Sequence, residues 1–549
     1  MQIVVPNFEE IFPEEKKETA LFYLLKIPKE LLLKSVGFLN TYPLPNYYNF
    51  FSKRNLTIDI ATRIELFKRG LDIQVEIITP YSYLRLSELI LSNIEKFGEG
   101  DKDSDSELNL FKAFLVLNSR LGEYNHEFLT NPSVESLIDF YTLQEFQLSE
   151  ISIYHNKDDH RDFIKLIYAT IYKVENLLKF LSFKNLDIIK TAYIESFGTK
   201  NENEYLYNMK YLFVTLFMAK FNNQYIFTNQ KLSSLDFIKN ITATQIKEDE
   251  DFTELKKTPI YFIDETTFSV VNFHFAVDLF YRSTKFRLKE IFEKNKIKGD
   301  FFKFYTTEFS EKFLMKNLLD YIFSKKYYIK KTVFKTEENN EPDYYVNYNN
   351  TLFVFENKDV LIAKNIKAAK NIQTLENFLK ERFLQSDKGV GIKQLVNTIE
   401  FVRDNNFKFD NTINYNRKIE IFPILLVHDR IFESPGINYK LNKWFSEELN
   451  SRNIISTNKF KIHPLTLIDI DTLILWKEDI KDNFNQFKRL LVDHTKQLNE
   501  ELKNHHKNPN YFEKYIQRII LPISFRKTPF QFNPKEHLKQ FSDLLQSQN

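Results

Sequence analysis

Asp343, Glu356 and Lys358 are the residues of this 549-residue chain whose types and spacing could do chemistry together. They lie in EPDYYVNYNNTLFVFENKD, where two extended runs, 344–348 and 351–355, flank Asn349-Asn350. Asparagine is one of the few non-glycine residues that tolerates the positive φ of a tight hairpin turn. With those two residues as the turn, pairing across the hairpin sets Asp343 opposite Glu356. Directly opposed residues have Cβ atoms about 4.5–5.5 Å apart, and like charges there are destabilising. Two carboxylates at that separation make sense with a divalent cation between them. Lys358, two residues on, shares their face because strand side chains alternate with period two. A metal-binding acid pair with a lysine beside it is a site for hydrolysing a phosphodiester.

Pro342-Asp343 and Glu356-Asn357-Lys358, with an apolar strand leading into the glutamate, resemble the signature of the PD-(D/E)XK nuclease superfamily, the restriction-endonuclease-like fold. An acid-x-Lys triplet alone is uninformative: the 74 acidic residues give roughly eight chance matches. Pro-Asp is rarer, since of 16 prolines only Pro342 precedes an aspartate. The other reading is a solvated hairpin with a turn-type Asp, but Glu356 ends a strongly apolar strand rather than a polar one. Asp343, Glu356 and the backbone carbonyl of Asn357 are oxygen ligands suited to Mg²⁺ or Mn²⁺. An ammonium beside two carboxylates stays protonated, so Lys358 is expected to act by charge rather than as a general base.

The resemblance implies two further contributors. Many members bring a glutamate from the first core helix toward the metal. Glu311 is best placed for this, with Glu308 one turn earlier as the competitor and a surface helix glutamate as the alternative. Many members also place a Lys or Gln on the helix after the catalytic strands, near substrate phosphate, which Lys393 and Gln394 match. A helix N-terminus adds free N–H groups that favour phosphate. The tyrosine that a subgroup carries four residues after the glutamine is Thr398 here, a departure from that subgroup.

The elements that must position these residues follow from periodicity. At 549 residues the chain exceeds one core, and two to four domains are expected. Apolar residues recur at helical spacing in 15–25, 61–71, 84–96, 108–121, 161–181, 204–221 and 275–294. Residues 1–300 are therefore expected to form a mostly helical recognition or regulatory region. From about residue 300 the order changes: a helix at 308–323, an extended run at 327–336, the hairpin, then a lysine-rich helical stretch through Phe383. A helix at 391–403, a continuously apolar strand at 419–427, a helix at 443–450 and a buried strand at 464–470 follow. The expected fold class is α+β, with residues 301–549 forming a restriction-endonuclease-like α/β domain, its mixed sheet flanked by helices, and C-terminal helices after Trp476.

Composition narrows the rest. Hydrophobic content of 43% with 27% charged residues describes a globular chain, and the absence of cysteine excludes disulfides, thiolate zinc sites and a Cys nucleophile. The N-terminus lacks a signal-peptide pattern, and no run of about 18 uncharged apolar residues occurs, so a cytoplasmic protein with no membrane association is expected. The Asp101-Lys-Asp103-Ser-Asp105 run lacks the Gly and Glu of a calcium loop, with Ser106 and Lys112 at those positions, and reads as a solvated acidic loop. Gly389-Val-Gly391 lacks phosphate-loop spacing. His428 and His463, at strand ends, read as structural histidines.

Between 325 and 403, 14 Lys/Arg stand against 10 Asp/Glu. Lys325, Lys326, Lys330, Lys331, Lys364, Lys367 and Lys370 could line a phosphate-binding rim or form an ordinary basic surface. By resemblance, DNA is the expected substrate and a bacterial restriction or anti-phage effector the expected role, with a homo-oligomer or a regulatory protein as possible partners. An RNase, or a catalytically silent scaffold binding nucleic acid or protein, are the alternatives.

Overall fold

Asn349 and Asn350 both adopt positive φ, 49° and 62°, and turn the chain tightly back on itself. That backbone matches the right-handed twist of the flanking strands, so register follows from the turn. Asn350 N–H donates to Asn347 Oδ1 at 3.1 Å, and the Asn350 side chain brackets the backbone of Asn414. Tyr344 and Tyr345 bury their rings on opposite faces, and their hydroxyls donate to Asp320 and Asp410, each at 2.8 Å.

The computed structural model describes residues 2–41, 50–119, 133–152, 159–222, 224–228, 235–242, 246–249, 251–331, 342–369, 371–384, 391–499, 509–528 and 530. Within it, β1 (Gln2–Val4) and β2 (Ile73–Val75) pair in parallel. Strands β3 (Ile226–Thr228), β4 (Ile260–Phe262) and β5 (Thr267–Val270) form a small antiparallel sheet in the order β3-β5-β4. The main sheet contains β6 (Ile329–Lys331), β7 (Tyr344–Tyr348), β8 (Thr351–Lys358), β9 (Ile419–Val427), β10 (Phe460–Ile462) and β11 (Thr466–Asp469). Its order is β10-β9-β8-β7-β6, with β11 also pairing β9. The β6–β7–β8 pairings are antiparallel, and β9 runs parallel to β8, β10 and β11. A mixed sheet in an α+β chain is thus in place.

Strand β9 is central yet carries Pro423, which cannot donate to a ladder. The outer partner is interrupted there: β10 pairs with 419–421 and β11 with 424–427. Otherwise β9 is buried almost throughout, as its continuous apolar run requires.

Both faces of the sheet are covered. Tyr344, Val346, Phe353, Phe355, Phe422, Ile424 and Leu426 join a core that begins at Phe163 and includes the helices before residue 323. Apolar packing therefore crosses residue 300 continuously. Tyr345, Leu352, Val354, Ile421, Leu425 and Val427 pack on the opposite face under Ile392–Arg403 and Ile437–Ser451. Each such large side chain contributes about 1.5–3 kcal/mol when fully buried. A separate N-terminal core joins Phe8 through Leu117 to Ile246–Phe275 residues.

The helical expectations before residue 300 fall on helices such as Arg54–Lys68, Ser106–Asn118, Asp159–Phe183 and Glu202–Phe221. The two small sheets there were not anticipated, because strands of three or four residues carry too little alternation to register. Asp105 caps the helix Ser106–Asn118, accepting from Glu107 N and Leu108 N at 3.1 Å, so its carboxylate serves the backbone as a solvated acidic loop would. No helix among the described residues is long and apolar enough to cross a membrane. Residues 332–336 of the expected extended run, and Gly389, lie outside the described residues.

Candidate acid–lysine site at the end of strand β8

The hairpin register places the acids. Tyr344 pairs with Phe355 as the last pair of the ladder, so Asp343 and Glu356 are next in line. Asn357 N–H donates to Asp343 Oδ2 at 2.8 Å, holding the aspartate against the end of β8. Glu356 is fully buried, and among the described residues no hydrogen-bond donor reaches either of its carboxylate oxygens. Lys358 Nζ stands 3.8 Å from Glu356 Oε2, an ion pair longer than a hydrogen bond.

Burial pushes the Glu356 carboxyl well above the usual range, and the negative charge of Asp343 pushes it further. Lys358 opposes this, and the charge of Glu311 adds to it. Such an arrangement needs either a shared proton or a cation, because an unpaired buried carboxylate costs several kcal/mol.

The residues fit a hard divalent ion: two carboxylates and the Asn357 carbonyl are all oxygen donors, and two of those oxygens are buried without donors. Among the described residues no three His, Cys, Asp or Glu side chains form a closed metal cage. A partial oxygen set suits Mg²⁺, which keeps several waters, better than zinc, which takes nitrogen and sulfur.

Glu311 and Glu308 part ways on one helix, 305–322, whose Tyr305–Met315 portion is wound as a π-helix. Glu308 is paired with Lys184 and Lys312, each at 2.6 Å. Glu311 instead contributes its charge to Glu356. Lys393 and Gln394 open the helix Ile392–Arg403, which covers the sheet face carrying Glu356; Gln394 is buried and Lys393 half-buried. That helix starts at Gly391, whose φ is 69° and where a Cβ would meet Phe383 O at 2.6 Å. Only glycine fits.

The lysine rim is less open than its sequence suggests. Lys364 Nζ lies 3.2 Å from Asp249 and Lys367 Nζ 3.8 Å from Asp251, so both face an acidic segment of the helical region. Lys325 donates to Asp482 O at 3.4 Å, and Lys326 is exposed. The side chains of Lys330 and Lys331, and all of Lys370, lie outside the described residues.

A second set of polar residues lies on the other face of β8 and was missed. Asn357 Oδ1 and His428 Nε2 are 2.8 Å apart. Asp359, fully buried, forms an ion pair with Lys285 and accepts from Ser310 Oγ at 2.6 Å. Burial raises the Asp359 carboxyl, but Lys285, then His428 and Ser310, outweigh it, and the net shift is downward. Burial lowers His428 to about 4 and His463 to about 4; His463 stacks on Phe422 at 3.9 Å. The only signal in the sequence was parity: Asp359 follows Lys358 and must point the opposite way. No family model, curated protein or solved structure matches the chain.

Proposed function

We propose that the chain is a metal-dependent nuclease of the restriction-endonuclease-like kind, hydrolysing phosphodiester bonds in DNA, as a restriction or anti-phage effector. The observation that carries this reading is Glu356: a fully buried carboxylate with no donor on either oxygen, facing Asp343, with the Lys358 ammonium 3.8 Å away. A scaffold has no need for opposed acids, one of them fully buried.

Asp343, Glu356 and the Asn357 carbonyl would hold Mg²⁺ or Mn²⁺, with Glu311 alongside. A divalent ion there supplies Lewis acidity to water and charge neutralisation at the scissile phosphate. Lys358 steers the attacking water and donates to a non-bridging phosphate oxygen as negative charge develops, the preorganised electrostatic role. The Asn357 N–H keeps Asp343 aimed at the pair. Gln394 and Lys393 approach phosphate from the helix that covers the site, and Lys364 and Lys367 supply weaker contacts further out, since acids already face them.

The test is purified protein incubated with plasmid, linear and single-stranded DNA and with RNA, in Mg²⁺ or EDTA, beside Glu356→Ala. Metal-dependent DNA products that the variant does not make support the reading. Cleavage of RNA alone moves the substrate class, and no metal-dependent product on any substrate favours the scaffold.

A further inference from the structure

The end of β8 alternates between two duties. Glu356 and Lys358 face the acid site, while Asn357 and Asp359 point to the other face, Asn357 to His428 and Asp359 to the helices that precede the sheet. Asp359 is the residue where those helices meet the strand. One of its oxygens takes the Lys285 ammonium from the helix Thr284–Lys294, and the other takes the Ser310 hydroxyl from the π-helical segment Tyr305–Met315. Lys285 also lies over the Tyr305 ring, 5.3 Å from its centroid, which closes the contact on a third side.

Ser310 is the immediate neighbour of Glu311. A bond from Ser310 to Asp359 therefore fixes the Glu311 segment against the strand that bears Glu356 three residues before Asp359. The winding of this helix is the independent sign that its register matters. π-Helical geometry is rare, and where it occurs it is frequently at functional sites.

We propose that Asp359, through its bonds to Ser310 and Lys285, is a positioning residue: it sets the spacing between Glu311 and the Asp343/Glu356 pair, and so the affinity of the site for a divalent cation. This rests on the metal-site reading above. Partners that orient metal ligands from outside typically tune affinity by about 10–100-fold.

The experiment is calorimetric titration of Mn²⁺ into the full chain, comparing wild type, Ser310→Ala and Asp359→Asn. Ser310→Ala removes one hydroxyl and leaves the Lys285–Asp359 pair, so it keeps the test readable should Asp359→Asn fold poorly. Mn²⁺ binding weakened about 10–100-fold in a folded Ser310→Ala, with the KM for nucleic acid unchanged and kcat reduced, is the expected result. A folded Ser310→Ala that binds Mn²⁺ as tightly as wild type, even with a lowered Tm, overturns the positioning role and leaves the metal site standing. Wild type that binds no Mn²⁺ overturns the site itself.

Discussion

Glu356 and Asp359 are both buried carboxylates at the end of one strand, three residues apart, and they have opposite surroundings. Asp359 has a lysine on one oxygen and a hydroxyl on the other, and its carboxyl lies below the usual range despite burial. Glu356 has no donor on either oxygen, faces a second acid, and lies well above that range. Burial is common to both, so burial does not separate them; the completeness of the partners does. A satisfied buried charge holds structure together, whereas an unsatisfied one beside like charge marks a candidate ligand site.

The comparison can be broken first on its structural side. Asp359→Ala leaves Lys285 buried without its partner, and a loss of about 3–5 kcal/mol in unfolding free energy is expected by denaturant titration. A loss near zero would show that the pair carries no structural load. On the other side, Lys358→Ala should reduce metal-dependent cleavage by roughly 10²–10³-fold with little change in stability, as removal of one preorganised electrostatic contact does. Equal loss of stability in both variants would erase the distinction.

Glu356→Gln in EDTA sharpens it further. A carboxyl raised on folding retains its proton in the folded state, so its contribution falls as pH rises from its unfolded value toward its folded one. The metal-free variant should thus be more stable than wild type by about 1–3 kcal/mol at neutral pH, and no more stable near pH 4. Saturating Mn²⁺ should reverse the order. His428 gives a pH dependence of the opposite sign on the paired side. Its folded value, about 4, lies below the unfolded one, so stability should fall as pH drops from about 6.5 to 4, by up to about 1.4 kcal/mol per pH unit. Replacing His428 with Asn should flatten that slope. The smallest change is expected from Lys364→Ala, whose exposed ion pair with Asp249 is worth about 0–1 kcal/mol.

The sequence made the hairpin legible because Asn349-Asn350 determines register, and register fixes which side chains oppose. It made β9 legible because only a strand buried on both faces needs nine nearly uninterrupted apolar residues. Glu311 and Glu308 could not be separated without Lys184, which lies far away in the chain and takes Glu308. The Asp359 network was hidden for the same reason: Lys285 and Ser310 reach it from helices whose sequence shows only amphipathic spacing. Likewise the lysines at 364 and 367 gave a basic stretch, while their acidic neighbours at 249 and 251 came from a loop more than a hundred residues earlier.

The most direct measurement is Mn²⁺ stoichiometry and affinity in wild type, Asp343→Asn and Glu356→Gln, each verified as folded. If both acids serve one ion, wild type binds Mn²⁺ at this site and either substitution alone removes that binding. Retention of wild-type affinity in either folded variant would contradict a shared ion between residues 343 and 356.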